Sequence, residues 1–228
     1  MMTAVKPWEL LGETRTADGT LLSLTRRDRE YVILANGKSL MSSRMHGSEE
    51  ALAALACRRL RRPAPCVLVG GLGMGFTLRA TLDLLPEDAT VVVAELVPAV
   101  VEWNRGPLGP LAGHPLDDPR VRVEVEDVAI TLQSGPGRFD AVLLDVDNGP
   151  DAFTAAGNGR LYGDHGLAVA HAALTGGGVL AVWSAWEARK FEQRLRYSGF
   201  TVQVERVRAR LKKGGPRHTI FLGMKSAT

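Results

Sequence analysis

The chain has 228 residues, of which 45% are hydrophobic and 23% are charged, and its formal net charge is +3. This composition is typical of a globular domain and excludes a disordered, collagen-like or disulfide-scaffold protein. The apolar runs are far shorter than the ~20 residues that span a bilayer, and no secretory signal is visible, so we predict a cytoplasmic protein. Cys57 and Cys66 have no metal-ligand spacing, and we predict neither a metal site nor a role for them.

The first segment of the chain is short-stranded and rich in β-forming residues. Asn36-Gly37 separates two apolar runs, and Asn-Gly favours the type I′ turn of a β-hairpin because both of its residues adopt positive φ. We therefore predict an N-terminal β-hairpin element over residues 1–46. A helix follows it, with Ser48 as the predicted N-cap and Glu49 as an acidic residue in the first turn.

From Pro65 onward the pattern alternates between strands and helices. The predicted strands span residues 66–70, 90–95, 121–125, 139–145, 179–184, 200–207 and 218–224. The predicted helices span residues 76–85, 98–104, 128–132, 162–174 and 187–197. Because no helix separates the last two strands, we predict one α/β domain over residues 47–228. Its sheet is Rossmann-like, seven-stranded and mostly parallel, and it ends in an antiparallel strand.

Three glycines, Gly71, Gly73 and Gly75, form a turn between the first strand of this domain and the helix that follows it. Glycine allows a tight turn there and lets a ligand approach the backbone with no Cβ in the way. Phe76 stands where a dinucleotide-binding turn needs its third glycine, and no Gly-Lys-Ser/Thr follows. The turn therefore argues against nicotinamide dinucleotides and nucleoside triphosphates.

Two acids follow the next two strands. Glu95 lies 20 residues past Gly75, at the end of its strand, where a carboxylate can accept hydrogen bonds from both ribose hydroxyls. Asp127 either receives the amino group of adenine or caps the helix that begins at Val128. With the glycine turn, these residues describe an adenosine site without phosphates, and the carboxylates suit a cationic ligand such as S-adenosyl-L-methionine.

The fourth strand runs into Asp145-Val146-Asp147-Asn148-Gly149-Pro150. Open α/β sheets place their chemistry at this carboxyl edge. Asp145 is the predicted catalytic residue, because a carboxylate beside a sulfonium can accept the proton of an incoming nucleophile. Asp147, a second catalytic candidate, and Asn148 are predicted to orient the acceptor. The alternative is that Asp-Asn-Gly-Pro is only a turn, since these residue types favour turns.

This ordered set of features resembles the spermidine synthases and, more broadly, the class I S-adenosylmethionine-dependent methyltransferases. The resemblance covers residues 21–224 and rests on the hairpin, the helix with two glutamates, G-G-x-G-x-G, Glu95, Asp127, F-D-x-x-x-x-D and G-G-G-V-L. It implies a class I methyltransferase fold, a small-molecule acceptor and a homodimer formed through the N-terminal element. It also implies that Glu95 binds ribose, Asp127 binds adenine and Asp145 accepts the proton.

Several positions depart from the spermidine synthase pattern. Met74 replaces the aspartate that holds the amino group of the donor's aminopropyl chain, and Asn148 replaces the aspartate that holds the acceptor's far ammonium. Gly47 stands in place of the tyrosine before the family's paired residues, and a basic segment that includes Arg217 replaces a Tyr-Pro pair. We therefore predict methyl transfer from S-adenosyl-L-methionine to a small molecule bound by Glu49, Asn148 and Arg217.

Three alternatives stay open. The first is aminopropyl transfer from decarboxylated S-adenosyl-L-methionine, which is the spermidine synthase activity itself. The second is methylation of RNA, for which the basic stretches beginning at Arg58 and Arg206 would form one stripe. The third is a non-catalytic module that only binds the cofactor. His46, just ahead of the first helix, either reaches the site or caps that helix.

Overall fold

The structure, a computed structural model, describes residues 6–146, 149–150, 158–210 and 215–227. Four antiparallel strands form a separate N-terminal sheet in the order β1-β2-β3-β4. They are β1 Glu9–Arg15, β2 Leu21–Arg27, β3 Glu30–Ala35 and β4 Lys38–Ser42. Asn36 and Gly37 join β3 to β4 with φ of 48° and 76°, so the hairpin predicted at this dipeptide is confirmed. Two further strands make the element larger than a hairpin.

The second sheet has seven strands in the order β10-β11-β9-β8-β5-β6-β7. Its strands are β5 Cys66–Gly70, β6 Thr90–Ala94, β7 Val121–Glu124, β8 Phe139–Leu144, β9 Leu174–Ser184, β10 Thr201–Arg208 and β11 Arg217–Met224. The pairs from β7 across to β9 are parallel, whereas β11 runs antiparallel to both β9 and β10. The predicted fold class is confirmed.

The described ranges contain seven α-helices between these strands. They are α1 Gly47–Cys57, α2 Phe76–Leu84, α3 Pro98–Arg105, α4 Val128–Leu132, α5 Asn158–Tyr162, α6 Asp164–Ala173 and α7 Arg189–Tyr197. The helix predicted over residues 162–174 is confirmed as α6, which begins two residues later because Gly163 is extended, with ψ of 174°, and ends one residue earlier. The prediction that Ser48 caps α1 is wrong, since the helix already begins at Gly47. No helix in the described ranges has the length and apolar character needed to cross a membrane.

Each face of the large sheet packs against its own hydrophobic cluster. Val67 and Val69 of β5 face the cluster built with α1, α2, α3 and the N-terminal sheet, whereas Leu68 faces the cluster built with α4, α6 and α7. Strands buried on both faces are continuous apolar runs, as in Thr-Val-Val-Val-Ala of β6. Each fully buried leucine or valine contributes about 2 kcal/mol to folding.

The register of the parallel strands lines up four residues at the carboxyl edge of the sheet. Gly70 pairs with Ala94 on one side and with Leu144 on the other, and Leu144 pairs with Val182. The next residue along each strand therefore belongs to one row across the sheet. That row consists of Glu95, Gly71, Asp145 and Trp183. Because side chains alternate along a strand, the row lies on the α1 face, two residues beyond the buried Val93, Val69, Leu143 and Ala181.

Candidate active site

Asp145 lies at the end of β8, where two neighbouring elements hold it. Its backbone N–H donates to the carbonyl of Gly70 at 2.9 Å, which continues the β5–β8 ladder by one residue. Thr77, in the first turn of α2, donates its hydroxyl to Asp145 Oδ2 at 2.6 Å. Burial raises the pKa of Asp145 to about 6, against the lowering effect of the Thr77 hydrogen bond. This carboxyl is therefore ionised at neutral pH and can serve as a proton acceptor.

Glu49, in the first turn of α1, is the second acid of the site. Its Oε2 atom is buried and has no hydrogen-bond partner among the described residues. Burial raises the pKa of Glu49 well above its usual range, and the nearby charges of Asp145 and Glu50 raise it further. Two buried carboxyls that repel each other are stabilised by a cation placed between them. The site is thus built for a positively charged ligand.

Aromatic and imidazole rings surround the start of α1. His46 stacks on Phe76 with ring centroids 4.2 Å apart, and its Nδ1 atom lies 2.7 Å from Glu50 Oε1. His46 occupies the N-cap position of α1, as its capping alternative predicts, although its side chain makes no capping hydrogen bond. Ser48 Oγ lies 2.8 Å from His218 Nδ1, and the His218 ring meets the ring of Trp183 edge-on at 4.7 Å.

The glycine turn lies directly beside Asp145. Gly71 has φ of +88°, and a Cβ there would stand 2.4 Å from the backbone oxygen of Asp145. Gly73 and Gly75 also have positive φ, at +52° and +84°. Asn104 of α3 holds the turn in place, because its buried side-chain amide donates a hydrogen bond to the carbonyl oxygen of Gly73 at 2.9 Å. The turn therefore has the backbone shape that the sequence predicts, with no room for side chains on the Asp145 side.

Glu95 follows β6 and is bound to the glycine turn. Its Oε2 atom accepts the N–H of Leu72 at 2.8 Å, and its Oε1 atom accepts the N–H of Val97 at 2.9 Å. Burial raises the pKa of Glu95, while those backbone donors oppose the rise. Each carboxylate oxygen has a second lone pair, so the same group can also accept ribose hydroxyls. Glu95 thus holds the turn in shape at the place predicted for the nucleoside.

Asp127 caps α4, as the alternative reading of its sequence position predicts. Its Oδ1 atom accepts the N–H of Ala129 at 2.9 Å. Its binding to adenine stays a prediction. Arg217 is exposed at the first position of β11, where it pairs with Arg208, and none of the contacts described around Asp145 includes it. The predicted site residues Asp147 and Asn148 lie outside the described residues.

The structure adds residues that the sequence analysis does not identify as part of the site. Thr77 donates a hydrogen bond directly to Asp145. Trp183 is the neighbour of Asp145 in the row of residues at the carboxyl edge of the sheet. For Thr77 the sequence carries a weak signal, since it is the second residue of a helix that begins at the glycine turn. For Trp183 the signal is its position along β9 relative to the position of Asp145 along β8. This relative position is known only once the register of the two strands is known. No cluster of metal-ligating side chains occurs in the described part of the chain.

Replacing Thr77 with valine is expected to raise the pKa of Asp145 above about 6, because the hydroxyl that stabilises the carboxylate is lost. Carbon-13 NMR titration of the aspartate carboxyls measures this shift directly. The matched control is Thr81→Val, one helical turn further, whose hydroxyl donates to the Thr77 carbonyl and not to Asp145. An unchanged Asp145 titration in the Thr77 variant would contradict the assigned hydrogen bond.

Comparison with known proteins gives relatives but no matching family model. A polyamine aminopropyltransferase of Mycobacterium tuberculosis (strain H37Rv) is 38% identical over 122 residues, which cover 52% of this chain and 22% of that protein. One of Corynebacterium efficiens is 31% identical over 166 residues, covering 71% of this chain and 30% of the relative. Polyamine aminopropyltransferase 2 of Pseudomonas aeruginosa is 33% identical over 124 residues, covering 53% and 33%. The chain thus spans at most about a third of the length of these relatives.

Two solved structures share the fold at low sequence identity. A spermidine synthase in complex with the transition-state analogue AdoDATO aligns with a TM-score of 0.75 and 16% identity, covering 96% of this chain and 73% of that one. The spermidine synthase of Thermotoga maritima aligns with a TM-score of 0.76 and 17% identity, covering 96% and 74%. The fold of this chain is therefore the fold of these spermidine synthases. In sequence the chain is similar to the polyamine aminopropyltransferases.

The prediction of methyl transfer is contradicted by these findings, because the relatives are polyamine aminopropyltransferases. That prediction rests on Met74, which lacks the charge found at the matching position of spermidine synthases. In the structure the Met74 side chain is 2% exposed and belongs to the hydrophobic cluster on the α1 face. The acidic groups of this site are instead Glu49 and Asp145, on other elements. The lack of charge at position 74 alone therefore does not support methyl transfer.

Proposed function

We propose that the chain is a polyamine-type aminopropyltransferase. It takes decarboxylated S-adenosyl-L-methionine as donor and a small amine as acceptor. The observation that carries the proposal is the buried Oε2 atom of Glu49, which has no hydrogen-bond partner in the described part of the chain and lies near the Asp145 carboxyl. Such a pair favours a ligand with ammonium and sulfonium charges only. A donor that kept its carboxylate would bring a third negative group towards these acids, so charge favours the decarboxylated form.

In this proposal each predicted site residue has its own role. Gly71, Gly73 and Gly75 let the donor approach the backbone, and Glu95 accepts hydrogen bonds from its ribose hydroxyls. Asp127 receives the adenine amino group beside its capping role. Asp147 and Asn148 orient the acceptor, and Arg217 is assigned to binding of the acceptor.

Asp145 is the proton acceptor of the proposed reaction. Its carboxylate takes a proton from the acceptor's ammonium, which frees the nitrogen lone pair. That nitrogen forms a bond to the donor's methylene carbon while the carbon–sulfur bond breaks, and the sulfur keeps the bonding pair as a neutral thioether. The new secondary amine leaves as a cation, and Asp145 returns its proton to water. Alignment of the nucleophile with the breaking bond is the main task of the surrounding residues.

We also propose a cytoplasmic homodimer in which the N-terminal sheets pair, with the unit boundary between residues 46 and 47. Trp8, Leu10 and Leu40 of this region are between 37% and 56% exposed, and large apolar side chains exposed together are typical of protein contacts. Sedimentation at several protein concentrations measures the association.

The proposed function is tested by offering the protein plain and decarboxylated donor with an alkyl diamine and identifying the products by mass spectrometry. We expect methylthioadenosine and an aminopropylated amine from the decarboxylated donor alone. Adenosylhomocysteine formed from the plain donor, with no reaction of the decarboxylated one, would overturn the proposal.

Glu49→Gln is expected to lower kcat/KM for the amine acceptor about a hundredfold, because the neutral amide cannot stabilise the acceptor's ammonium. Steady-state kinetics with varied acceptor measure the loss. Glu102→Gln is the matched control, since Glu102 is an exposed helical glutamate paired with Arg105. Equal kinetics of the two variants would remove Glu49 from the acceptor site.

A further inference from the structure

Trp183 stands beside Asp145 at the carboxyl edge of the sheet. The pairs Leu143–Ala181 and Leu144–Val182 put Asp145 and Trp183 at the next matched positions of β8 and β9. Neighbouring strands are about 4.8 Å apart, and both residues lie on the face that packs against α1. The indole thus forms the wall of the site on the β9 side of the proposed proton acceptor, opposite Gly71 on the β5 side.

The Trp183 indole on this wall donates a hydrogen bond, whereas the carboxylate oxygens of the site accept hydrogen bonds. The Nε1 atom of Trp183 is buried and has no partner among the described residues. It is a donor only, and burying it unpaired costs free energy unless a ligand supplies an acceptor atom. Next to it stands His218, whose Nδ1 atom is within hydrogen-bond distance of Ser48 Oγ. Burial lowers the pKa of His218, so this imidazole adds no positive charge at neutral pH.

Two residues that flank Asp145 therefore each carry a buried atom with no partner in the described ranges, an acceptor at Glu49 Oε2 and a donor at Trp183 Nε1. The ammonium of an amine satisfies the first. A second ammonium cannot satisfy the other, because an ammonium also only donates. A hydroxyl or ether oxygen can, since it carries lone pairs.

We propose that Trp183 is a specificity-determining residue, whose Nε1–H selects an amine acceptor that carries a hydroxyl or ether oxygen along its chain. This inference rests on the proposed function for the identity of the site. It adds a substrate class to that function, namely oxygen-bearing amines in preference to unsubstituted alkyl diamines.

The test compares the binding of two amines by calorimetry. One is an unsubstituted alkyl diamine, and the other is the diamine of the same chain length with one hydroxyl on its chain. We expect the wild-type protein to bind the hydroxylated amine about fivefold more tightly, the ratio that one neutral hydrogen bond supplies. Trp183→Phe keeps the ring and removes the donor, so the ratio should fall to about one while the affinity for the plain diamine changes little.

Trp186→Phe is the matched control, because Trp186 is an exposed tryptophan three residues further along the chain. It should keep the fivefold ratio. Equal binding of the two amines by the wild type, or a ratio unchanged in Trp183→Phe, would overturn the inference, as would a wild type that binds neither amine. Should the phenylalanine variant not fold, the wild-type ratio alone decides. Binding is measured without turnover, so a protein that binds selectively but transfers nothing would contradict the proposed function and not the role of Trp183.

Discussion

Asp145→Asn is expected to lower kcat about a thousandfold and, at the same time, to stabilise the fold. The rate falls because the amide cannot take a proton from the acceptor, and general-base catalysis is typically worth about 10²–10⁴ in rate. The stability rises because the charged carboxylate is buried beside Glu49, whereas the amide is neutral and can still accept the Thr77 hydroxyl. Transfer kinetics and urea unfolding at neutral pH measure the two effects.

The pH dependence of the wild type has a definite sign. The pKa of Asp145 rises from an ordinary 3.8 to about 6 in the folded protein, so the folded state binds this proton more tightly than the unfolded state. The free energy of unfolding therefore decreases as pH rises between about 4 and 6. Over the same pH range the rate of transfer increases, because the carboxylate of Asp145 forms. Asp145→Asn should lack this part of the stability profile. Asp88→Asn, at an exposed position, is the control, and a profile in Asp145→Asn that matches it would contradict the buried charge.

Gly71→Ala is expected to lower the free energy of unfolding by about 3 kcal/mol or more and to abolish donor binding. Two causes add together, because φ of +88° is unfavourable for alanine and the new Cβ would meet the Asp145 backbone oxygen at 2.4 Å. Relief of that clash must move either the turn or the end of β8, and both belong to the site. Urea unfolding and calorimetry with the donor measure these losses.

The matched control for this glycine is Gly19→Ala. Gly19 has nearly the same backbone angle, with φ of +85°, but open space where the Cβ would stand. It should therefore show only the conformational cost, about 1 kcal/mol, with donor binding intact. Equal destabilisation by the two alanines would mean that the backbone of Asp145 does not press on the turn.

Local chemistry accounts for the parts of the fold that the sequence predicts. Runs of β-branched residues such as Val91-Val92-Val93 specify buried parallel strands, and Asn36-Gly37 specifies a hairpin. The helix predicted over residues 162–174 extends one residue too far because its apolar content continues into a strand. Leu174 is as suitable for the end of a helix as for the start of β9, and only pairing with Phe139 decides it.

The candidate site likewise contains some residues that the sequence identifies and others that it does not. The glycine turn with Glu95 and Asp145 is visible in the sequence because each residue follows an apolar strand at the edge where parallel sheets place their chemistry. Thr77 and Trp183 are not, because their roles depend on contacts between segments that are 68 and 38 residues away from Asp145. Ser48 illustrates the limit further, since a serine before two glutamates looks like a helix cap but contacts His218 instead.

The row of four residues at the strand ends keeps its place in the candidate site only if the number of residues in each strand is unchanged. Side chains alternate between the two faces of a strand, so deleting any single residue between Phe139 and Leu144 would turn the Asp145 carboxyl from the α1 face to the opposite one. There it would lie on the side of the apolar cluster that contains Leu68 and Val182, away from Thr77 and Glu49. The deletion variant, although almost unchanged in sequence, would keep the strand and lose the proposed proton acceptor from the site.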